Sequence, residues 1–332
     1  MFASRLGKCT FWSGALLFAL WIAENLGAER FGVTALLLYL PQHGWGLLPL
    51  WLLLWALRRR QFRLAALNAA FLLFWTQSLL GFQFRAPFPR SENPKTLRLM
   101  TYNIERGLGG IGAVEDAIRA QNPDIVCLQE SQGRYKNRDF AAGENLAARF
   151  PGWNSAQAGD VMTLSRWPLL SQQDYPLRGT RRLLETVYQT PKGSLRVLNV
   201  HVATSFAGER YPTHNPLDRA WQIVREAQPK AQTRMEQIRP IQAASTLGSS
   251  MVPTLMAGDF NSPPRGLFYG AISRGCDDAW QNGGRGTGHT FPSNFPVLPI
   301  DHVLTQNVSI RRAFVPDVRA SDHRPLLVDF SF

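Results

Sequence analysis

Cysteine is scarce in this chain: 332 residues hold three, Cys9, Cys127 and Cys276. None stands in a C-x-x-C pair, so neither a disulfide framework nor a thiolate zinc site is expected. The three read as unpaired thiols, and their number leaves the compartment open. Acidic side chains are almost missing from the first quarter. Residues 1–85 carry Arg5, Lys8, Arg30, Arg58, Arg59, Arg60, Arg63 and Arg85 against only Glu24 and Glu29. No internal repeat and no low-complexity tract occurs, and the length suits one large or two modest domains. The formal net charge of +12 suits an anionic partner such as nucleic acid, a phospholipid headgroup or a phosphorylated metabolite. A balance of this size is also common where no nucleic acid is bound, so it excludes little.

Long apolar runs, by contrast, are plentiful near the N-terminus, at about 10–27, 35–57 and 64–84. Glu24 lies near the end of the first, Pro41, His43 and Gly44 interrupt the second, and the third has no charge. Each approaches the roughly 20 residues that cross a bilayer. A secretory signal would have one shorter core, and soluble core helices would keep a polar face, which Leu47–Leu57 lacks. The expectation is about three transmembrane helices in residues 1–85, a proline-rich linker at 86–95, and a catalytic domain at 96–332. Arg5, Lys8, Arg58, Arg59, Arg60 and Arg63 belong on the cytoplasmic side. Three spans then put the catalytic domain on the extracytoplasmic side of a membrane like the bacterial inner membrane; an uninserted second run would flip it inward. The lipid bilayer is one expected partner, and no obligate protein partner is evident.

From Leu97 onward short strand-like runs alternate with helical and turn-rich pieces. Strands are expected at Leu97–Ile104, Asp124–Gln129, Leu195–Val202, Met251–Ala257, Ile300–Leu304 and Leu326–Phe330, with a helix at Val114–Gln121 stopped by Asn122-Pro123. This pattern favours an α/β or α+β domain on packed sheets. At or just past these runs stand Asn103, Glu130, His201, Asp259, Asn261, Asp301, Asp322 and His323. Such a mixture of carboxylate, amide and imidazole at strand ends suits a site on loops at one sheet edge. Phosphate-ester hydrolysis needs phosphoryl charge neutralised, a water aligned, and a leaving oxygen stabilised. Glu130, Asp322 and Asn103 are hard oxygen ligands suited to Mg²⁺ and poor for Zn²⁺. Asp259 is placed to orient or deprotonate water, and Asn261 to donate its amide to a phosphoryl oxygen. His201 and His323 suit phosphate contact or proton transfer, with Asp301 fixing an imidazole tautomer.

The series TYNIE (101–105), DIVCLQE (124–130), NVH (199–201), GDFN (258–261), IDHVL (300–304) and SDHRPL (321–326) resembles the endonuclease/exonuclease/phosphatase superfamily over about residues 96–332. This DNase-I-like group includes abasic-site endonucleases, neutral sphingomyelinases and inositol-polyphosphate 5-phosphatases. The resemblance implies an α/β fold, a two-sheet DNase-I-like sandwich flanked by helices, with the site at one end. It implies metal-site residues at Asn103 and Glu130, with Asp322 a carboxylate near the metal. Asp259 matches the residue that activates water, and Asn261 the phosphate contact. His323 matches the phosphate-binding imidazole, Asp301 its acid partner, and His201 a second histidine. Glu105 stands where many members place Asp or His and is a further metal candidate. Mg²⁺ is the implied cofactor, with Mn²⁺ as second choice.

The expected function is therefore a membrane-anchored phosphodiesterase or phosphomonoesterase working by metal-assisted water attack. The alternatives are a non-specific surface nuclease and a non-catalytic binding module retaining the fold. Scattered basic residues speak against a nuclease groove, and retention of Asp259, Asn261 and His323 against the module. Alternation along its strand turns His302 away from the site. His214 and His289 read as surface loop histidines, His43 as a membrane-interface residue, and Phe291 as either substrate contact or loop packing. Ser205–Gln232 reads as an inserted loop, either a solvated surface or a lid. Arg181 and Arg182 either meet phosphate or lie on a basic face.

Overall fold

The computed structural model describes residues 4–85, 96–136, 138–204, 215–246 and 251–332. The expected linker 86–95, residues 205–214 of the insertion, and His214 with them, lie outside these. Helix α1 (Arg5–Ile22) starts at Ser4, whose side chain accepts from the Gly7 amide. It continues through a π turn and a 3-10 turn, so Arg5–Arg30 forms one rod long and apolar enough to cross a membrane. Among the described residues it is the only such helix. Helices α2 (Gly32–Tyr39), α3 (Leu47–Arg58) and α4 (Phe62–Phe74) follow, α4 running on as a π turn to Leu79.

The second expected span does not form one continuous helix. Pro41, which has no amide to donate, sits where the second run breaks, and a 3-10 turn at Gln42–Gly46 follows. That leaves α3 with 12 residues, about 18 Å at the helical rise, short of a hydrocarbon core of about 30 Å. The helices nevertheless pack as a unit. Leu6 joins Leu52, Ala56, Leu64 and Ala65 in one cluster, and the buried Asn68 amide donates to Thr10 at 3.0 Å. At Gly14 a Cβ would fall 2.2 Å from the Phe71 ring, so a larger residue there would require that ring to move.

The second part opens with β1 (Leu97–Asn103), α5 (Ile111–Gln121), β2 (Ile125–Gln129), the hairpin β3 (Gly133–Tyr135) and β4 (Arg138–Phe140), α6 (Ala142–Arg149), β5 (Asn154–Ala158) and β6 (Val161–Ser165). It continues with β7 (Leu169–Pro176), β8 (Arg182–Thr190), β9 (Gly193–His201), α7 (Pro216–Thr246), β10 (Thr254–Asp259) and α8 (Gly266–Ile272). The last elements are β11 (Asp277–Asp278), α9 (Ala279–Gly283), β12 (Asp301–Gln306), β13 (Ser309–Phe314) and β14 (Leu326–Ser331). One six-stranded sheet has the order β13-β14-β1-β2-β6-β5, the other β11-β12-β10-β9-β8-β7. Strand alternation builds the layers. Leu99, Cys127, Val197, Leu255, Ala257 and Val303 meet between the sheets. Met100, Tyr102, Val126 and Leu128 face α5 and α6, while Leu198, Val200, Met256 and Leu304 face α7 and α8. Both faces of each central strand are covered, which is why these strands read as unbroken apolar runs. The outcome is the expected α/β arrangement of two sheets flanked by helices.

The inserted loop is the second correction. Residues 216–246 form one helix with Pro229 and Pro240 inside it. Pro216 occupies the first helical position, where a missing amide costs nothing. Burial of Ala227 and Ala231 against Ala35, and of Ile238, Ile241 and Ala244 against the sheet, outweighs the proline penalty.

Candidate active site

Strand register places the chemistry. In the second sheet β9 and β10 run parallel and pair His201 with Asp259, and β12 runs antiparallel and pairs Asp301 with Asp259. Three of the expected side chains thus stand in one row at one end of the sheet. Close approach of the strands requires glycine before Asp259: a Cβ at Gly258 would fall 1.8 Å from the Val200 carbonyl oxygen. Asn103, at the end of β1 in the facing sheet, closes the row by donating to Asp259 Oδ2 at 3.0 Å. The loop after β10 then turns through Asn261, a left-handed residue with φ 46°. Its backbone amide donates to Asp259 Oδ1 at 2.8 Å, and its side-chain amide donates to Asp259 Oδ2 and to the Val202 carbonyl, each at 3.1 Å.

Two imidazoles flank this carboxylate. His201 Nε2 lies 3.6 Å and His323 Nε2 3.8 Å from Asp259 Oδ2. His323 Nδ1 lies 2.9 Å from Asp301 Oδ2. Burial alone would lower the pKa of His323, but Asp301, Asp259 and Asp322 outweigh it and raise it to about 10. His201 Nδ1 lies 2.7 Å from Asp160 Oδ2, which also receives Arg181 at 2.7 Å. Burial pushes the Asp160 pKa up, yet His201 and Arg181 prevail and hold it below the usual range. His201 Nε2 is buried without a hydrogen-bond partner.

Beside this row gather the remaining acids. Burial raises the pKa of Glu105, and Asp322 and Glu130 raise it further against Arg106. Burial likewise raises Asp322, with Glu130 and Asp259 adding to it against His323. The carboxylates are thus close enough to repel one another, which a hard divalent cation would relieve. Oxygen donors from Asn103, Glu105, Glu130 and Asp322 fit such an ion, and Glu130 Oε2 is buried without a hydrogen bond. Its nearest cation is Arg106, whose guanidinium forms an ion pair with it. Glu105, Arg106 and Glu130 all adopt positive φ, at 46°, 57° and 50°, and such strained non-glycine residues cluster at functional sites. Asp259, Asp301 and His323 also lie within 4.8 Å of one another. These three are a second group of side chains whose ligand atoms could meet one ion.

A cavity of about 630 Å³ opens from Glu130, lined by Arg106, Arg134, Phe140, Asp160 and Arg181. Residue order therefore brings together all nine expected residues, and Arg181 joins them while Arg182 reaches Asp174 instead. Asp160 and Arg106 were not anticipated. His302 turns away as alternation requires, its Nε2 2.8 Å from the Ser262 carbonyl oxygen. Phe291 packs its ring 4.9 Å from that of His323. His289 is not a surface residue: it is buried, and its ring lies 5.1 Å from that of His43.

A sequence profile of the Endonuclease/Exonuclease/phosphatase family matches residues 100–323, the span that carries every residue of the site. The chain belongs to that family. Among curated relatives, the Escherichia coli (strain K12) protein YbhP is 25% identical over 268 residues, covering 70% of this chain and 94% of YbhP. The fold of this family member is similar to that of the endonuclease/exonuclease/phosphatase from Beutenbergia cavernae, with TM-score 0.51, 20% identity, and 72% of each chain covered. It is also similar to a humanized D. rerio TDP2, with TM-score 0.52 and 16% identity over 72% of this chain and all of the other. The Bacteroides vulgatus family member gives TM-score 0.52 at 17% identity, over 71% and 99% of the two chains. The family's members are phosphoesterases and nucleases that typically use divalent metal ions, and phosphate esters such as nucleic acids are their substrates.

Proposed function

We propose that this protein is a membrane-anchored, divalent-metal-dependent phosphoesterase that hydrolyses phosphodiester or phosphomonoester bonds. The observation that carries the reading is the row of His201, Asp259 and Asp301 across three paired strands, with His323 bonded to Asp301. Asp259 is the group that orients the attacking water and accepts its proton. Its carboxylate is fixed by Asn103 and Asn261, so little reorganisation is left for the reaction. His323, kept protonated by Asp301, offers an Nε2–H to a phosphoryl oxygen. His201 is held at Nδ1 by Asp160, which aims its Nε2 towards Asp259 and the site. Asn261 holds Asp259; for it to reach phosphate, one of its two amide bonds must open. Asn103, Glu130, Asp322 and Glu105 are the residues that would hold Mg²⁺ or Mn²⁺. When bound, such an ion polarises the phosphoryl oxygen and stabilises the leaving oxygen.

The anchoring rests on surface chemistry. Among the described residues, 18 of the 23 exposed large apolar side chains belong to residues 1–85, Phe11, Trp12, Trp51 and Phe62 among them. That much clustered apolar surface needs lipid cover. We assign the rod Arg5–Arg30 to the bilayer with α3 and α4 beside it. The cluster around Leu6, Ala56 and Leu64 gathers Arg5, Lys8, Arg58, Arg59, Arg60 and Arg63 at the far end from the catalytic sheets. The positive-inside rule then puts the catalytic part on the extracytoplasmic side.

The test uses the full chain in detergent with bis-p-nitrophenyl phosphate, single- and double-stranded DNA, and sphingomyelin. Each is offered with Mg²⁺, with Mn²⁺, with EDTA, and to Asp259→Ala. Metal-dependent hydrolysis that disappears in the variant supports the reading, and the preferred substrate separates a surface nuclease from a headgroup esterase. Absence of hydrolysis on every substrate would leave the binding module as the better account.

A further inference from the structure

Asn261 keeps its left-handed backbone in the company of two side chains that lie outside all the family motifs. Its carbonyl oxygen accepts from the Tyr39 hydroxyl at 2.8 Å and from Arg234 Nη1 at 2.8 Å. Tyr39 is the last residue of α2, in the apolar N-terminal region, and Arg234 lies in the middle of α7. Arg234 is fully buried. Its guanidinium stands 5.0 Å from the Tyr39 ring and 6.0 Å from that of Phe268. Burial pulls its pKa down to about 10, opposed by Glu29, so it is charged at neutral pH. Among the described residues no carboxylate forms an ion pair with it, and Nε and Nη2 are buried without partners. A charge buried at such cost indicates that its one strong contact matters.

That contact bears on catalysis through geometry. A non-glycine residue with positive φ persists only where its surroundings over-determine it. Fixing the Asn261 carbonyl fixes the peptide plane that follows its Cα and so restrains the ψ of the residue whose backbone and side-chain amides grip both Asp259 oxygens. We propose that Tyr39 and Arg234 are positioning residues that together pin the Asn261 carbonyl and hold the Asp259–Asn261 loop in its working conformation. The apolar N-terminal region is then part of what assembles the site, rather than an anchor alone. For its effect on turnover this rests on the phosphoesterase reading; the loop geometry does not.

The experiment compares full-length wild type, Tyr39→Phe, Arg234→Met and Arg234→Lys in the same detergent. Tyr39→Phe keeps the ring that Arg234 stacks on and removes only the hydroxyl. Hydrogen exchange of the peptide covering residues 258–262 reads the loop whether or not a substrate is known. Hydrolysis of bis-p-nitrophenyl phosphate gives kcat and KM, and thermal unfolding gives Tm. The expected result for Tyr39→Phe is exchange faster by about fivefold in that peptide alone, the factor one hydrogen bond confers. With it, kcat falls about ten- to a hundredfold, as small displacements of catalytic groups produce, while KM and Tm stay near wild type. Arg234→Met shows the same loosening and Arg234→Lys recovers part of it. Unchanged loop exchange, exchange rising evenly over the whole chain with a fall in Tm, or a loosened loop with unchanged kcat would each overturn the inference. Should wild type hydrolyse nothing, the phosphoesterase reading falls and the exchange data alone decide whether the clamp exists.

Discussion

Asp301 and His323 come from distant parts of the chain, yet the imidazole depends on the carboxylate for its charge. Asp301 Oδ2 lies 2.9 Å from His323 Nδ1, and the imidazole stays protonated up to about pH 10. A folded-state pKa above the unfolded value near 6.5 means that this pair stabilises the fold fully below pH 6.5. The contribution is lost as pH rises towards 10. Asp301→Asn removes the largest of the charges that oppose burial, so the His323 pKa should drop and the alkaline loss of stability should move to lower pH. An NMR titration of the His323 ring in wild type and variant checks this, and an unmoved titration would refute it. At Asp259 the expectation concerns rate: Asp259→Asn should lower kcat by about 10²–10⁴, the usual worth of a positioned general base, with Tm little changed. The nine expected residues were legible because the strand-end motifs carry them. Asp160 was not, since an acid in the turn between β5 and β6 is ordinary turn chemistry. Only the folded sheets bring it to His201, 41 residues away.

Elements were legible in proportion to how far packing simply follows alternation. The central strands bury both faces and stand out in the sequence, whereas α7 contradicts its local signals. Pro229 argues for a loop up to about residue 232, and burial of Ala227 and Ala231 overrules it. Two polar residues inside the strand motifs turn out to join the sheets. Gln129 donates to Asn199 Oδ1 at 2.7 Å, and Asn199 donates to the Met162 carbonyl at 2.9 Å and to the Leu128 carbonyl at 3.2 Å, all buried. Their place beside Glu130 and His201 in the motifs therefore reflects how the two sheets are locked in register beneath the site. Asn199→Ala should leave the Gln129 amide and two carbonyls short of partners, costing about 1–3 kcal/mol. Denaturant unfolding monitored by the tryptophans reads that loss. A change below about 0.5 kcal/mol would show that water replaces the missing amide.

At the scale of the whole molecule the question is what fastens the N-terminal helices to the sheets. The apolar runs made those helices visible in the sequence, but beside the contact of Ala35 with Ala227 and Ala231 their seat on the catalytic part uses single polar residues that no periodicity marks. Arg265, beside the loop that follows β10, reaches Glu24 at 2.7 Å and the carbonyls of Leu79 and Leu38 at 3.1 Å and 3.0 Å. Gln42 donates to the other Glu24 oxygen at 2.9 Å, and Glu29 accepts from the Leu267 amide at 2.9 Å. Glu24 is fully buried, so its charge is compensated only while Arg265 is present. Removing one member of such a pair strands the other in a medium of low polarity, which costs about 3–5 kcal/mol, whereas replacing both by apolar residues is often neutral. Arg265→Leu should therefore destabilise the full chain in detergent by that amount, and Glu24→Leu/Arg265→Leu should recover most of it. Thermal unfolding of the two single variants and the double variant closes the cycle. If the double variant is as unstable as Arg265→Leu, the ion pair is not the fastening, and the carbonyl contacts of Arg265 carry it instead. Full recovery would mean that apolar contact alone seats the helices, and that the buried pair serves to select one orientation of the rod Arg5–Arg30 on the catalytic sheets.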